Sequence, residues 1–126
     1  MKIGYLGPPG TFSEMAARRY LEGTQGAEMV SLPSLAGIFL AVEKGELDEG
    51  ILPLENSTEG SVTQTLDLLA HRFPLVKIKG ELVLPVTHQL LVRPGVALKE
   101  VQQVLSHPQA LAQCRSFLER FLPAAE

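Results

Sequence analysis

The chain has 126 residues, of which 45% are hydrophobic and 20% charged, a composition that predicts one globular domain, or part of one, with a packed core. Its formal net charge of −3 argues against a nucleic-acid partner, because proteins that bind nucleic acid usually carry a basic surface. The sequence has no apolar stretch long enough to span a membrane, no apolar signal region after Met1, and one cysteine, Cys114, without a partner for a disulfide or a metal site. We therefore expect a cytoplasmic protein that binds no metal.

The first half of the chain alternates short apolar runs with helical patterns. Strands are predicted at residues 2–6, 28–32 and 50–54, and the order β-α-β-α-β-α favours a parallel sheet. Ligands of such sheets bind beyond the carboxyl ends of the strands, so the loops that follow the strands are the places to search for a site. The first helix is expected to end near residue 22, and apolar residues at helical spacing mark the other two helices: Leu35, Ile38, Phe39 and Val42, followed by Gly45 as the C-cap, and then Val62, Leu66 and Leu69.

The loop after the first predicted strand, residues 7–14, has the sequence Gly-Pro-Pro-Gly-Thr-Phe-Ser-Glu. Thr11 and Glu14 have the spacing of a capping box, which begins a helix. The N-terminus of a helix carries the positive end of the helix dipole and suits a carboxylate or a phosphate. The loop is therefore either a well-capped helix start or one part of an anion site, with Gly10 and Thr11 as the candidate contacts.

The loop after the third predicted strand, residues 53–60, has the sequence Pro-Leu-Glu-Asn-Ser-Thr-Glu-Gly, and we expect a second strand-to-helix turn here. A plain N-cap needs one polar residue, whereas this loop has an unbroken polar run. Asn and Ser side chains can both donate and accept hydrogen bonds. The run therefore favours a ligand site formed by Glu55, Asn56, Ser57 and Thr58.

The second half of the chain begins with a stretch rich in Val, Leu and Ile. Extended segments are predicted at residues 75–84 and 87–92 with a bend at Pro85, followed by a short helix at 98–102 and a strand at 104–105. A third strand-to-helix turn follows, in which Ser106 and Gln109 have capping-box spacing and Pro108 falls in the first helical turn. The apolar face of the last helix is predicted to consist of Leu111, Cys114, Leu118 and Phe121.

The three histidines have different expected roles. His107 lies at the third helix start, where it is either a neutral imidazole that hydrogen-bonds a ligand beside Gln109 or a structural cap. His71 and His88 are isolated in the sequence, and we expect them to be surface or packing residues. Their spacing does not predict a metal site.

Segments 7–14, 53–60 and 106–111, together with Gln113 and Cys114, resemble the catalytic domain of the prephenate dehydratase family. The resemblance covers essentially the whole chain, 1–126, and rests on three motifs in the family's order and spacing. It implies a two-lobed α/β fold like that of type 2 periplasmic binding proteins, with the active site in the cleft between the lobes. Lobe 1 would be nearly complete over about 1–76, and lobe 2 would be truncated over about 77–126.

The resemblance also implies a reaction. A lyase of this family carries out the decarboxylating dehydration of prephenate to phenylpyruvate, on the route to L-phenylalanine, without a metal or an organic cofactor. Prephenate is a dianion, so neutral donors and helix N-termini suit its two carboxylates. The resemblance implies that the substrate-binding residues are Gly10, Thr11, Glu55, Asn56, Ser57, Thr58, His107 and Gln109.

The sequence departs from the family in two respects. The general acid in the family is thought to be the Thr of a Thr-Arg-Phe segment, and no Thr-Arg pair occurs here. We also expect this chain to lack the ACT domain that usually binds phenylalanine in the family. We therefore expect a fragment that is inactive alone, and phenylalanine as an effector only if the full-length protein has an ACT domain. An unfinished lobe exposes sheet edges and apolar surface, which favours a homodimer, with or without exchanged strands.

Two alternatives stay open. Arogenate dehydratase acts on a substrate with an amine in place of the keto group, and the motifs do not separate it from prephenate dehydratase. A cytoplasmic module that only binds a small anion is the alternative from another class. The polar run at residues 55–59 favours the dehydratase over that module.

Overall fold

The computed structural model describes residues 1–57 and 60–126. The chain folds into two units, Met1–Pro85 and Val86–Glu126. All the strands of the described chain lie in the first unit, and the second unit is helical with irregular connections. No helix of the described residues is both long enough and apolar enough to cross a membrane.

The first unit is built on a parallel sheet in which β1 (Lys2–Leu6) lies between β2 (Glu28–Leu32) and β3 (Glu49–Ile51). The helices α1 (Phe12–Tyr20) and α2 (Leu35–Glu43) connect these strands, which confirms the predicted element order. The chain steps from β1 to β2 in one direction and then crosses back to β3. Connections between parallel strands are right-handed in nearly all proteins. With the strand order β2-β1-β3, such connections put α1 and α2 on opposite faces of the sheet.

Gly50 allows α2 to approach the sheet closely. Gly4 of β1 pairs in register with Gly50 of β3. Ile38 of α2 is fully buried over this pair, and its Cγ2 lies 3.5 Å from the position that a Cβ would take on Gly4. On Gly50 an added Cβ would overlap the same methyl group. The side chain of Ile38 therefore occupies space that any larger residue at position 50 would fill.

The second motif does not have the predicted structure. The third strand ends at Ile51 rather than at residue 54, because Pro53 has no N–H and cannot continue the ladder. Instead β4 (Glu55–Asn56) pairs antiparallel with β5 (Gly60–Ser61). The prediction of a strand-to-helix turn at residues 53–60 is therefore wrong: the segment contains β4 and the first residue of β5.

The third helix begins after this hairpin. Its regular part, α3 (Thr63–Asp67), continues as a π-helical segment over Leu68–Arg72. Within the predicted stripe of apolar residues, Leu66 is exposed, and the buried positions of the helix are Thr65 and Leu68. At the centre of the helix the buried residue is therefore Thr65, one position before the predicted Leu66.

One buried cluster of the first unit lies between α2 and the π-helical segment. The rings of Phe39 and Phe73 stack with their centroids 5.3 Å apart and their planes 10° from parallel. Leu35 and Leu68 complete the buried cluster. Partly buried side chains pack around it: Leu6, Ala36, Leu52, Val62, Leu69 and Val76.

The apolar stretch that connects the two units has no regular structure. Residues 75–92 contain no strand, so neither predicted extended segment belongs to a sheet in the described chain. A strand requires a partner for its ladder, and sequence alone does not supply one. Several side chains of this stretch are well exposed, among them Leu75, Val83 and Leu91.

The second unit differs from the prediction in its first half. The predicted short helix is a 3-10 turn over Leu98–Glu100. No strand forms at residues 104–105; instead, the N–H of Val104 donates to the carbonyl of Glu126 at 2.7 Å, and the N–H of Glu126 donates to the carbonyl of Gln102 at 3.0 Å. These two bonds hold the end of the chain against residues 102–104.

The last predicted helix is two helices, α4 (Pro108–Gln113) and α5 (Arg115–Phe121). The break falls at Cys114, whose φ of −94° and ψ of 3° are outside the helical region. The N-cap of α4 is His107 rather than Ser106. Pro108 explains the difference, because its fixed φ and missing N–H suit the first helical position and make the preceding residue the cap.

Candidate functional site

The loop between β1 and α1 is organised by its own polar groups. Gly10 has a φ of +86°, which glycine adopts without steric cost. Thr11 is the N-cap of α1: its Oγ1 accepts a hydrogen bond from the N–H of Glu14 at 3.3 Å and donates to the carbonyl of Leu6 at 3.4 Å. The Thr11 part of the predicted capping box is therefore confirmed.

In a capping box the carboxylate of Glu14 would accept from the N–H of the N-cap, Thr11. Here it accepts from the N–H of the preceding residue, Gly10. Its Oε2 accepts from the N–H of Gly10 at 2.5 Å, and its Oε1 accepts from Nη2 of Arg18 at 2.5 Å. The bond from Gly10, and then the bond from Arg18, lower the pKa of the Glu14 carboxyl below its ordinary value. A fixed negative charge thus stands at the first turn of α1, and the polar groups of Gly10 and Thr11 both have partners within the loop.

The β4–β5 hairpin carries the second group of candidates. Glu55 is exposed and pairs with Ser61, and Asn56 is half-buried and pairs with Gly60. Ser57 is exposed directly after β4. Thr58, the fourth candidate of this run, lies outside the described residues.

The sheet brings these two groups of candidates to one edge. β1 and β3 are parallel neighbours, so their carboxyl ends lie side by side. Gly10 and Thr11 follow β1, and Glu55 follows β3 after a short connection. This is the edge at which parallel α/β sheets bind their ligands.

The third group of candidates lies in the second unit. Nδ1 of His107 accepts a hydrogen bond from the N–H of Gln109 at 3.2 Å. His107 is exposed and Gln109 is half-buried. Of the two roles that the sequence left open for His107, the structure therefore confirms the cap.

His88 has a specific contact that the sequence analysis missed. Its Nε2 lies 2.7 Å from Oε1 of Gln113, which is hydrogen-bonding distance. The two residues are 25 positions apart, and no local pattern joins them. The one available signal was that Gln113 belongs to the third motif.

The described residues contain no group of three or more His, Cys, Asp or Glu side chains that could hold a metal ion. The polar groups at the carboxyl edge of the sheet are instead a hydroxyl, an amide and two carboxylates from Thr11, Asn56, Glu14 and Glu55. Such groups bind and orient a small polar molecule by hydrogen bonds.

A comparison with protein families decides the identity of the chain. The family model described as prephenate dehydratase matches residues 3–126. The chain belongs to the prephenate dehydratase family. The match includes all three motif segments, and it confirms the resemblance that they indicated.

Characterised members of the prephenate dehydratase family align over nearly the whole chain. The prephenate dehydratase of Bacillus subtilis is 43% identical over 126 residues, which cover 98% of this chain and 43% of that protein. The bifunctional chorismate mutase/prephenate dehydratase of Neisseria gonorrhoeae is 42% identical over 126 residues, or 100% of this chain and 34% of that protein. The chain thus spans less than half the length of either relative.

Two solved structures of prephenate dehydratases resemble the fold. The Arthrobacter aurescens enzyme, solved in complex with L-Phe, matches with a TM-score of 0.68 and 30% identity over 100% of this chain and 40% of its own. The Streptococcus mutans enzyme matches with a TM-score of 0.53 and 36% identity over 57% of this chain and 36% of its own. These matches confirm the mixed α/β class of the prediction.

Proposed function

We propose that this chain carries the first part of the active site of a prephenate dehydratase, a lyase that converts prephenate to phenylpyruvate, carbon dioxide and water on the route to L-phenylalanine. The observation that carries the proposal is the match of the family model over residues 3–126. Curated prephenate dehydratases that align over 98% of this chain also support the proposal.

The reaction needs three things from the protein. The pyruvyl end of prephenate must be held, the leaving hydroxyl must be protonated, and the ring carboxylate must lie where its charge is poorly stabilised. Loss of carbon dioxide and water then gives an aromatic ring, which makes the reaction strongly downhill. No metal or organic cofactor takes part.

Asn56 and Ser57 are the proposed donors to the substrate. They are neutral, and they follow β3 at the carboxyl edge of the sheet, so they can donate to a carboxylate without a charge penalty. Gly10 and Thr11 would shape the same edge through the loop that Glu14 closes. Glu55 and Thr58 of the second motif, and His107 and Gln109 of the second unit, complete the proposed substrate-binding set.

We further propose that the chain represents two lobes of a fold like that of type 2 periplasmic binding proteins, about 1–76 and 77–126. The division of the chain into Met1–Pro85 and Val86–Glu126 supports two lobes. A general acid on the Thr of a Thr-Arg-Phe segment would act from outside these residues, because they contain no Thr-Arg pair. The chain alone would then bind prephenate without converting it.

The proposal is tested on an extended version of the protein that includes a Thr-Arg-Phe segment. Asn56→Ala and Ser57→Ala should each lower the turnover of prephenate by orders of magnitude, measured as phenylpyruvate formation. Gln25→Ala is the matched control, because Gln25 is an exposed amide in the loop before β2, at the opposite edge of the sheet. Wild-type kinetics in the Asn56 and Ser57 variants would refute the site.

The substrate itself is tested by titration calorimetry on the chain. Binding of prephenate, with no binding of amino acids or sugars, supports the dehydratase over a general small-anion module. A comparison of prephenate and arogenate turnover by the extended protein separates the two dehydratases. Near full-length rates of phenylpyruvate formation by the 126 residues alone would overturn the proposed inactivity.

We also propose a homodimer. Large apolar side chains are strongly exposed, including Val83 at 86%, Leu91 at 86% and Leu105 at 81%. Surfaces of this kind favour association with another chain. Light scattering that gives the mass of a monomer at micromolar concentration would contradict it. Regulation by phenylalanine and a cytoplasmic location stay predictions.

A further inference from the structure

The hydroxyl of Thr65 is buried without a hydrogen-bond partner. Thr65 is 3% exposed, and its Oγ1 makes no hydrogen bond in the described chain. Most buried hydroxyls in proteins are hydrogen-bonded, because an unsatisfied one costs free energy. An arrangement that keeps this group unsatisfied therefore calls for a physical reason.

The position of Thr65 explains how it lost its local partners. It is the third residue of α3, where the longer side chain of a Glu or Gln would accept a hydrogen bond from the N–H of the N-cap residue. Here the N-cap is Val62, and its N–H donates instead to the carbonyl of Leu54 at 2.8 Å. The N–H of Val62 is thus satisfied by the segment that leads into β4, and Thr65 has no donor at the start of its helix.

A second local partner exists four residues earlier. Threonine in a helix often donates to the carbonyl at i−4, which is Ser61 at the end of β5. This bond is not made. Both potential partners therefore belong to the β4–β5 hairpin or its flanks, and a small movement of the hairpin would change the hydrogen bonding of Thr65.

We propose that Thr65 is a positioning residue for the β4–β5 hairpin, and that its hydroxyl donates to the carbonyl of Ser61 when an anionic substrate binds to Asn56 and Ser57. This inference rests on the proposed function of the hairpin. The unsatisfied hydroxyl raises the free energy of the unliganded arrangement relative to the liganded one. A ligand shifts such an equilibrium by the difference in interaction free energy between the two arrangements.

Removal of the hydroxyl should therefore weaken binding without weakening the unliganded fold. Thr65→Val keeps the branched shape and removes the donor. One hydrogen bond formed only in the bound state corresponds to a loss of affinity of about fivefold to tenfold. The melting temperature of the unliganded chain should stay the same or rise, because no bond is lost there.

The experiment uses prephenate as the probe, with titration calorimetry for affinity and thermal unfolding for the unliganded chain. Thr65→Ser, which keeps the hydroxyl, should bind prephenate within about twofold of wild type. Thr63→Val is the matched control, because Thr63 is exposed on the same helix and undergoes the same change of side chain. It should leave the affinity unchanged.

The outcomes separate this inference from the function on which it rests. If the wild-type chain binds no prephenate, the proposed function fails and this inference fails with it. If the wild type binds and Thr65→Val binds equally well, only the inference is overturned. A melting temperature several degrees lower in unliganded Thr65→Val would also overturn it, because the hydroxyl would then have a partner before the ligand arrives.

Discussion

The side chain of Ile38 on α2 fills the space in which a Cβ of Gly50 would stand, so helix and sheet touch directly at this point of β3. Gly4 lies beside Gly50 in register on β1, where an added Cβ would overlap Cδ1 of Leu47 instead. The close approach of α2 fixes the position of β3, from which the chain continues to the candidate residues at the carboxyl edge of the sheet.

Gly50→Ala should therefore destabilise the first unit. The added methyl group must displace Ile38 or the strand, and overpacking of this kind typically costs about 1–3 kcal/mol. Urea denaturation followed by circular dichroism measures the change. Gly80→Ala is the control, since a Cβ on Gly80 meets nothing within 4 Å and should leave the free energy of unfolding nearly unchanged. Equal losses in the two variants would contradict the packing argument.

Thr11→Ala should destabilise α1. The variant loses the N-cap bond to the N–H of Glu14, which corresponds to about 1 kcal/mol in the free energy of unfolding. Ser13→Ala, two positions later on the same helix, is the comparison, because Ser13 makes no hydrogen bond that caps the helix. If the two variants are equally stable in urea denaturation, Thr11 does not act as the cap.

The elements that sequence could predict depend on local patterns. β1, β2 and the core face of α2 followed from apolar spacing and from caps such as Thr11, which act over three or four residues. Leu68, at the π-helical end of the third helix, packs with Leu35 and Phe39 of α2, and spacing alone does not report that packing.

The candidate site could be located but not built from sequence. Its loops follow β1 and β3, as the element order predicted. The hairpin was missed because a polar run is compatible with both a turn and a short ladder, although Pro53 and Gly60 were signals for an early strand end and a tight turn. The contact of His88 with Gln113 depends on long-range folding, which has no local pattern.

His107→Ala should loosen the start of α4. The imidazole Nδ1 of His107 accepts from the N–H of Gln109, and loss of a capping acceptor typically costs about 1 kcal/mol in helix stability. His107→Asn keeps an acceptor at the cap and should restore most of that stability. Hydrogen exchange of the amides at the start of α4 measures the effect. Equal exchange rates in the Ala and Asn variants would show that the side chain does not cap.

The last prediction concerns Glu49, which joins α1 and the connecting stretch to β3. Its carboxylate accepts hydrogen bonds from Nζ of Lys79 and, at 2.7 Å, from the hydroxyl of Tyr20. These bonds, that of Lys79 first, lower the pKa of the Glu49 carboxyl below its ordinary value of 4.5. The folded chain therefore binds this proton less readily than the unfolded chain does.

The sign of the effect on stability follows from that direction. The contribution of the Glu49 carboxylate to the free energy of unfolding is fully present above the unfolded-state pKa, near 4.5. It is lost as the pH falls through the lower folded-state pKa. Glu49→Gln should thus be less stable than wild type at pH 7, with a difference that shrinks in acid. Urea denaturation of the two proteins at pH 7 and again in acid, below the folded-state pKa of Glu49, measures this difference. Glu43→Gln, which removes the same charge from an exposed position on α2, should stay close to wild type throughout. A difference for Glu49→Gln that persists unchanged in acid would mean that its carboxylate does not hold this contact.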